Sequence, residues 1–129
     1  MPAPVEIVGH TPEPLHAVAY VSTPAVPFTD RELNDLLLVA RARNAADGVT
    51  GKLVVLEDGG RVTRFAQWIE GPRSALEAVV GRILADERHT AIDVRRRGPV
   101  PRRRFAGWDM AFESAPPTPF EARAEALCT

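Results

Sequence analysis

The chain has 129 residues, 45% hydrophobic and 26% charged, with a formal net charge of -1, which describes one ordinary globular domain without a global field to draw it to nucleic acid or an anionic membrane. No apolar run approaches the ~20 residues of a membrane span, and the one cysteine, Cys128, has no internal disulfide partner. The opening Met1-Pro2-Ala3-Pro4-Val5-Glu6 lacks the basic and apolar regions of a signal peptide, so a cytoplasmic location is expected.

In chain order, residues 1–14 read as an extended, proline-rich arm in which residues 5–8 are apolar enough for a short edge strand. Residues 15–22 form the first core strand. Ala17, Ala19 and Val21 share one of its faces; Val18, Tyr20 and Ser22 share the other. Thr29 followed by Glu32 makes a capping box. The helix it opens carries Leu33, Leu36, Leu37 and Ala40 on one face and ends near Asn44, before Asp47-Gly48.

Residues 53–57 and 62–69 read as two strands joined by the hairpin signal Asp58-Gly59-Gly60. Pro72 suits the first turn of a second helix, whose apolar stripe is Leu76, Val79, Val80, Ile83 and Leu84 and whose end is Arg88-His89. Residues 92–96 and 107–112 are the fourth and fifth strands, and Trp108 and Met110 share a face of the fifth. A capping box, Thr118 with Glu121, opens a short helix that ends near Leu127. The order describes an α+β domain: a ferredoxin-like β-α-β-β-α-β core with two helices on one face, a fifth strand and a short C-terminal helix. Right-handed crossover through the first helix predicts that the strands bearing Tyr20 and Gln67 run parallel.

One stretch is unlike ordinary strand filler. In Phe65-Ala66-Gln67-Trp68-Ile69-Glu70-Gly71-Pro72 an amide sits in an apolar strand. Each of its polar groups, if buried unsatisfied, would cost about 1–3 kcal/mol. By period two, Phe65, Gln67 and Ile69 share a face, and if that face meets the helices, Gln67 and Tyr20 reach the same buried point. Trp68 reads as core or interface. Arg95-Arg96-Arg97 and Arg102-Arg103-Arg104 place six arginines within ten residues. They read as a solvated face or a docking surface for an acidic partner; a nucleic-acid patch is disfavoured because the rest of the chain offsets the charge.

Taken together, Tyr20 and Ser22, Asn44 with Gly48-Val49-Thr50-Gly51, Gln67 with Glu70-Gly71-Pro72, Asp86-Glu87-Arg88-His89, and Arg104-Phe105 with Trp108-Asp109-Met110 resemble the BLUF family of flavin-based blue-light sensors. The resemblance runs over about residues 15–112 and implies a division into an arm (1–14), a photosensory domain (15–112) and a C-terminal linker with a short helix (113–129).

The resemblance implies a non-covalent flavin between the two helices, FAD by family, with FMN or riboflavin able to occupy the same ring pocket. Tyr20, Ser22, Asn44, Gln67, Arg88 and His89 are the implied binding residues; Tyr20, Gln67, Trp108 and Met110 are the implied photoactive ones. Light-driven electron and proton transfer from Tyr would leave Gln67 rotated or tautomerised and the absorption shifted slightly to the red, with Trp108 and Met110 passing the signal on. Bland readings stand beside these. Asn44 could be a helix C-cap, Arg88 and His89 could complement a helix dipole, and Ser22 could simply end its strand.

Two departures are visible. The hairpin from Gly51 to Gln67 is longer than usual, which disturbs the central register only if the extra residues bulge within residues 64–66. Lys52 stands where a small or apolar residue is commoner and should point to solvent. No metal is expected, because His10, His16 and His89 lack ligand spacing. No enzyme is expected either, since phosphate-loop and nucleophile-elbow patterns are missing. Output is expected to go through an unknown protein partner acting in trans or through a homo-oligomer. The rival functions are a degenerate domain of this fold that binds protein without photochemistry and a basic-patch nucleic-acid binder.

Overall fold

The computed structural model describes residues 14–129, apart from the side chain of His89. The element order is β1 (Leu15–Pro24), α1 (Asp30–Asp47), β2 (Thr50–Asp58), β3 (Arg61–Pro72), α2 (Arg73–Ala85), β4 (His89–Pro99), β5 (Ala111–Ala115) and α3 (Pro117–Cys128). The five strands form one sheet in the order β4-β1-β3-β2-β5, the expected ferredoxin-like core with its fifth strand at an edge. The expected edge strand at residues 5–8 lies outside the described residues.

The parallel pairing expected of the Tyr20 and Gln67 strands is corrected. β1 and β3 are antiparallel, with Tyr20 directly opposite Gln67. The crossover rule applies to β1 and β2, the strands that α1 connects. The β2–β3 hairpin then folds β3 back between them, so the strand beside β1 is the one that runs against it.

Local signals set most element ends. Thr29 Oγ1 accepts from the Glu32 N–H at 3.2 Å and the Thr29 N–H donates to Glu32 Oε1 at 3.2 Å, completing the capping box. The Thr29 N–H first, and the Thr29 hydroxyl, which also donates to Glu32 Oε1 at 2.9 Å, hold the Glu32 carboxyl below its ordinary value. α1 runs past Asn44 to Asp47 and is capped by Gly48 at φ 70, the left-handed conformation that glycine adopts without penalty. Asn44 is therefore not the cap. Gly59 and Gly60, both at positive φ, form the two-residue turn between β2 and β3. The extra hairpin residue is absorbed between the pairs Leu56–Arg64 and Glu57–Val62. It is Thr63, outside residues 64–66, so the register around Gln67 is regular.

α2 begins after Pro72 and stops at Ala85. Arg88 and His89 thus do not end that helix: Arg88 is in the following turn and His89 opens β4. The Thr118 capping box is likewise not formed, because α3 starts two residues earlier than expected, with Pro116 at its cap and no side-chain cap bond. Pro117, with no N–H to satisfy, suits a first helical position.

Two cores flank the sheet. Val18, Leu53, Val55, Phe65 and Ile69 pack with Leu33, Leu37, Leu76 and Val79 of α1 and α2. On the other face Ala17, Ala19, Val54, Ala66 and Trp68 pack with Phe120, Ala124 and Leu127 of α3, as the i, i+4, i+7 spacing of those three residues allows. Lys52 lies on this second face, half-buried rather than free in solvent, with Nζ 2.9 Å from Glu113 Oε1 across the β2–β5 pair.

Candidate flavin site and its tyrosine–glutamine pair

The cross-strand pair Tyr20–Gln67 sits at the centre of the sheet, on the face that meets α1 and α2. Tyr20 is 3% exposed, and its hydroxyl donates to Gln67 Oε1. Burial first, and the charge of nearby Asp86 second, push the phenol well above its ordinary value, because both disfavour the phenolate. Tyr20 is thereby held as a neutral donor. With the Gln67 oxygen occupied, its Nε2 faces the Met110 sulfur at 3.5 Å.

Gln67 forms part of the floor of a cleft of about 420 Å³ between α1 and α2, within the usual range of small-molecule sites. Leu36, Leu37, Val79 and Ile83 give it apolar walls. Asn44, Gln67, Met110 and Arg88 also line it. Asn44, 4% exposed, donates from Nδ2 to the Asp109 carbonyl at 2.7 Å. The Asp86 carboxylate grips Arg88, with Nε 3.0 and 3.1 Å from its two oxygens and Nη2 2.7 Å from Oδ2; this hydrogen bonding raises the guanidinium's already high value.

The site residues expected from sequence are only partly brought together. Asn44, Gln67, Met110 and Arg88 meet at the cleft, and Tyr20 joins them from behind through its bond to Gln67. Ser22 is buried on the face of β1 that carries Tyr20 but does not figure among the cleft-lining residues. The backbone of His89 pairs with Pro24, and its side chain lies outside the described residues. Trp108 and Met110 do not share a strand face. Both precede β5, where period two does not apply, and they part company: Met110 is 2% exposed and Trp108 61%. Three contributors had been given no role: Asp86, which lines the cleft and acts on Tyr20; Arg41, whose Nε donates to the Met110 carbonyl at 3.1 Å; and Gly51. A Cβ at Gly51 would lie 2.1 Å from the Trp68 carbonyl oxygen, so only glycine lets β2 approach β3 there. Asp86 and Gly51 lie within the Asp86–His89 and Gly48–Gly51 blocks that carry the resemblance; Arg41 carries no local signal.

Five of the six arginines of the cluster are exposed and Arg103 is half-buried, as expected of a solvated face, but four of them also make contacts within the fold. Arg95 pairs with Asp93 at 3.1 Å. Arg103 donates to Thr50 Oγ1 and the Gly48 carbonyl, each at 2.8 Å. Arg96 and Arg104 lie over the Trp68 ring, 5.4 and 4.3 Å from its centroid, which buries Trp68 as expected of a core residue.

An isoalloxazine ring is flat and apolar across its faces, with a polar edge of alternating acceptors and donors. The apolar walls and the two amides of this cleft fit both features. Fold and site together define a small flavin-type sensory domain. The family model described as "Sensors of blue-light using FAD" matches residues 15–111, and the chain belongs to this family, BLUF.

The solved structure of the BLUF protein BlrB in its dark state superposes with a TM-score of 0.71 at 31% identity, covering 81% of this chain and 75% of that one. BlrP1 of Klebsiella pneumoniae, solved with FMN and cyclic diGMP, gives 0.68 at 26% identity over 88% of this chain and 30% of that one. The photoactivated adenylate cyclase subunit beta of Euglena gracilis is 29% identical over 89 residues, 69% of this chain. The chain spans about a tenth of the length of the curated cyclases it matches. It is a blue-light flavin sensor by family and fold. Among the described residues no helix is long and apolar enough to cross a membrane, and no group of acidic, His or Cys residues could hold a metal ion.

Proposed function

We propose that this chain senses blue light through a hydrogen-bond switch centred on Gln67, with Tyr20 as electron and proton donor and Met110 as the first receiver of the change. The observation that carries this is the oriented chain Tyr20 Oη–H, Gln67 Oε1, Gln67 Nε2, Met110 Sδ at the floor of the cleft. Gln67 and Asn44 would face the polar edge of the ring, the apolar walls its faces, and Arg88 the more polar end of the cofactor. When bound, a flavin supplies blue-light absorption and an electron-accepting ring.

The switch follows from what an amide can do. While the Tyr20 hydroxyl donates to Oε1, the amide is locked with Nε2 toward Met110. If Tyr20 gives up an electron and its proton, the lock is gone. Gln67 can then turn about its last torsion, or shift a proton between its two ends, before Tyr20 regains what it lost. Either change exchanges donor for acceptor at the cleft and at Met110. Burial keeps Tyr20 protonated beforehand, so the proton is in place at each turnover.

FAD is the family's cofactor by name, and the FMN in the BlrP1 structure supports FMN as a second occupant. We take residues 15–112 as the photosensory domain and residues 113–129 as the segment that answers to it. Ser22 and His89 are assigned supporting roles beside Tyr20 and the cofactor. Output in the cytoplasm passes to a protein partner or to a second copy of the chain, and the domain itself performs no enzymatic reaction. The relatives named as cyclases support a sensor whose output is read elsewhere.

The deciding experiment is a light–dark difference spectrum of the purified protein. A yellow preparation whose absorption moves to the red under blue light, and returns in darkness, is expected. A colourless preparation that stays colourless when FAD, FMN or riboflavin is added would leave a protein-binding domain of the same fold.

A further inference from the structure

Glu70 is wholly buried, on the sheet face turned away from the cleft, and the light-sensing pair makes no use of it. Its carboxylate accepts four hydrogen bonds. Trp68 Nε1 at 2.8 Å and the Arg104 N–H at 2.7 Å donate to Oε1; the Thr50 hydroxyl and the Phe105 N–H, each at 2.8 Å, donate to Oε2. A carboxylate offers about four acceptor sites, so this one is saturated. Arg103 closes around the same point through Thr50 and the Gly48 carbonyl.

Two of the four donors are consecutive main-chain amides of the loop between β4 and β5. The other end of that loop delivers Met110 to Gln67. In between, the Trp108 N–H donates to the Phe105 carbonyl at 3.0 Å and the Trp108 carbonyl accepts from the Gly51 N–H at 3.1 Å. Asn44 and Arg41 hold the carbonyls of Asp109 and Met110. The loop is therefore pinned by Glu70 at one end and by α1 at the other. Glu70 is three residues from Gln67 on the same strand, so one strand carries both the amide that touches Met110 and the carboxylate that anchors Met110's loop.

The geometry points to Glu70 as a positioning residue for the Gln67–Met110 contact: its carboxylate fixes the 103–110 loop to the strand that bears the switching amide. The inference rests on the reading of Gln67 and Met110 as parts of the light response. It also gives that response an outlet. Arg104, whose N–H Glu70 holds, lies over Trp68 and donates from Nη1 to the Leu127 carbonyl at 2.9 Å. Arg96, also over the Trp68 ring, reaches the Thr129 carbonyl at 2.5 Å. A displacement of the loop is thus felt at the last turn of α3.

Glu70→Gln keeps the shape and replaces one acceptor by a donor that has no acceptor to meet. In the dark and without flavin, the variant is expected to lose slow amide exchange at Arg104 and Phe105. It should also lose the nuclear Overhauser contact between the Gln67 side-chain amide and the Met110 methyl. With flavin bound, the red shift should persist, because Tyr20 and Gln67 are intact, while dark recovery changes rate. Thr50→Val is the milder companion should Glu70→Gln fail to fold. It removes one donor to Glu70 and one acceptor from Arg103, and should move the same readouts in the same direction. If the folded variant keeps both the Gln67–Met110 contact and the parental recovery rate, Glu70 is only part of the scaffold and the inference is overturned. A parent protein without a red shift would instead overturn the light-sensing reading, and the flavin-free contact would still decide what Glu70 does.

Discussion

Tyr20 and Gln67 face each other across two antiparallel strands, and the phenol donates to the amide oxygen. Direct cross-strand partners have Cβ atoms about 4.5–5.5 Å apart, so the two side chains are held side by side by the register of the sheet. The sheet, rather than a mobile loop, sets the starting orientation of the amide.

The first prediction tests that orientation. Tyr20→Phe retains the ring and removes the transferable proton; Gln67→Ala removes the amide. Both should still bind flavin, and neither should show a red-shifted state on illumination. Difference spectra at matched flavin occupancy check this, and a parental red shift in either variant would remove that residue from the switch.

The second concerns pH. Tyr20 is the chain's one tyrosine, so phenolate absorbance reports it alone. Its folded value lies above the ordinary 10.0. Between these values the unfolded chain has released the proton while the native one keeps it. Stability is therefore undiminished by this group below about pH 10 and declines as pH rises toward the folded value. Alkaline titration of the folded protein should show phenolate appearing later than in urea, and Tyr20→Phe should lack this component of alkaline destabilisation. Coincident titrations in the two states would show that the phenol is not shielded.

The third concerns Asn44. Asn44→Ala leaves the Asp109 carbonyl without its side-chain donor and removes a buried amide from the cleft. A loss of about 1–3 kcal/mol is expected, divided between folding and flavin retention. Thermal unfolding with and without flavin separates the two, and unchanged values in both would leave Asn44 without either role.

The fourth concerns output. Met110→Ala should keep the red shift, which needs only Tyr20 and Gln67. Amide exchange over residues 113–129 should be faster in light than in darkness for the parent, with a smaller difference in the variant, since Met110 leads directly into β5 and α3. Hydrogen exchange with mass detection decides it. A light–dark difference confined to other segments would move the output surface away from α3.

The fifth is structural. Gly51→Ala would drive a methyl group into the Trp68 carbonyl, and strain of this kind typically costs about 1–3 kcal/mol. A lowered midpoint in denaturant is expected, together with weaker protection of the Gly51–Trp108 hydrogen bond. A parental midpoint would mean that β2 can withdraw from β3 without loss.

By itself the sequence determined the element order, the two faces of β1, the capping box at Thr29, the two-glycine hairpin turn and the placement of α3's apolar stripe. These depend on neighbours a few residues apart, where periodicity and turn chemistry act. It also marked Tyr20 and Gln67, because polar side chains in apolar strands need partners, whereas Asn44 and Met110 were marked only by the resemblance to BLUF domains. What only the tertiary structure decided was every relationship between distant segments. The direction of β3 against β1 depends on how a hairpin inserts between two crossover-linked strands. The separation of Met110 from Trp108 follows from a loop that hydrogen bonds to α1, β2 and β3 hold in place, so no local period governs it. Arg96, Arg103 and Arg104 gained partners inside the fold because the carbonyls of Thr129, Gly48 and Leu127, and the ring of Trp68, lie beside them only in the folded chain. Glu70 gained its importance for the same reason: four donors from three separate segments meet at one carboxylate, and no window of sequence contains them all.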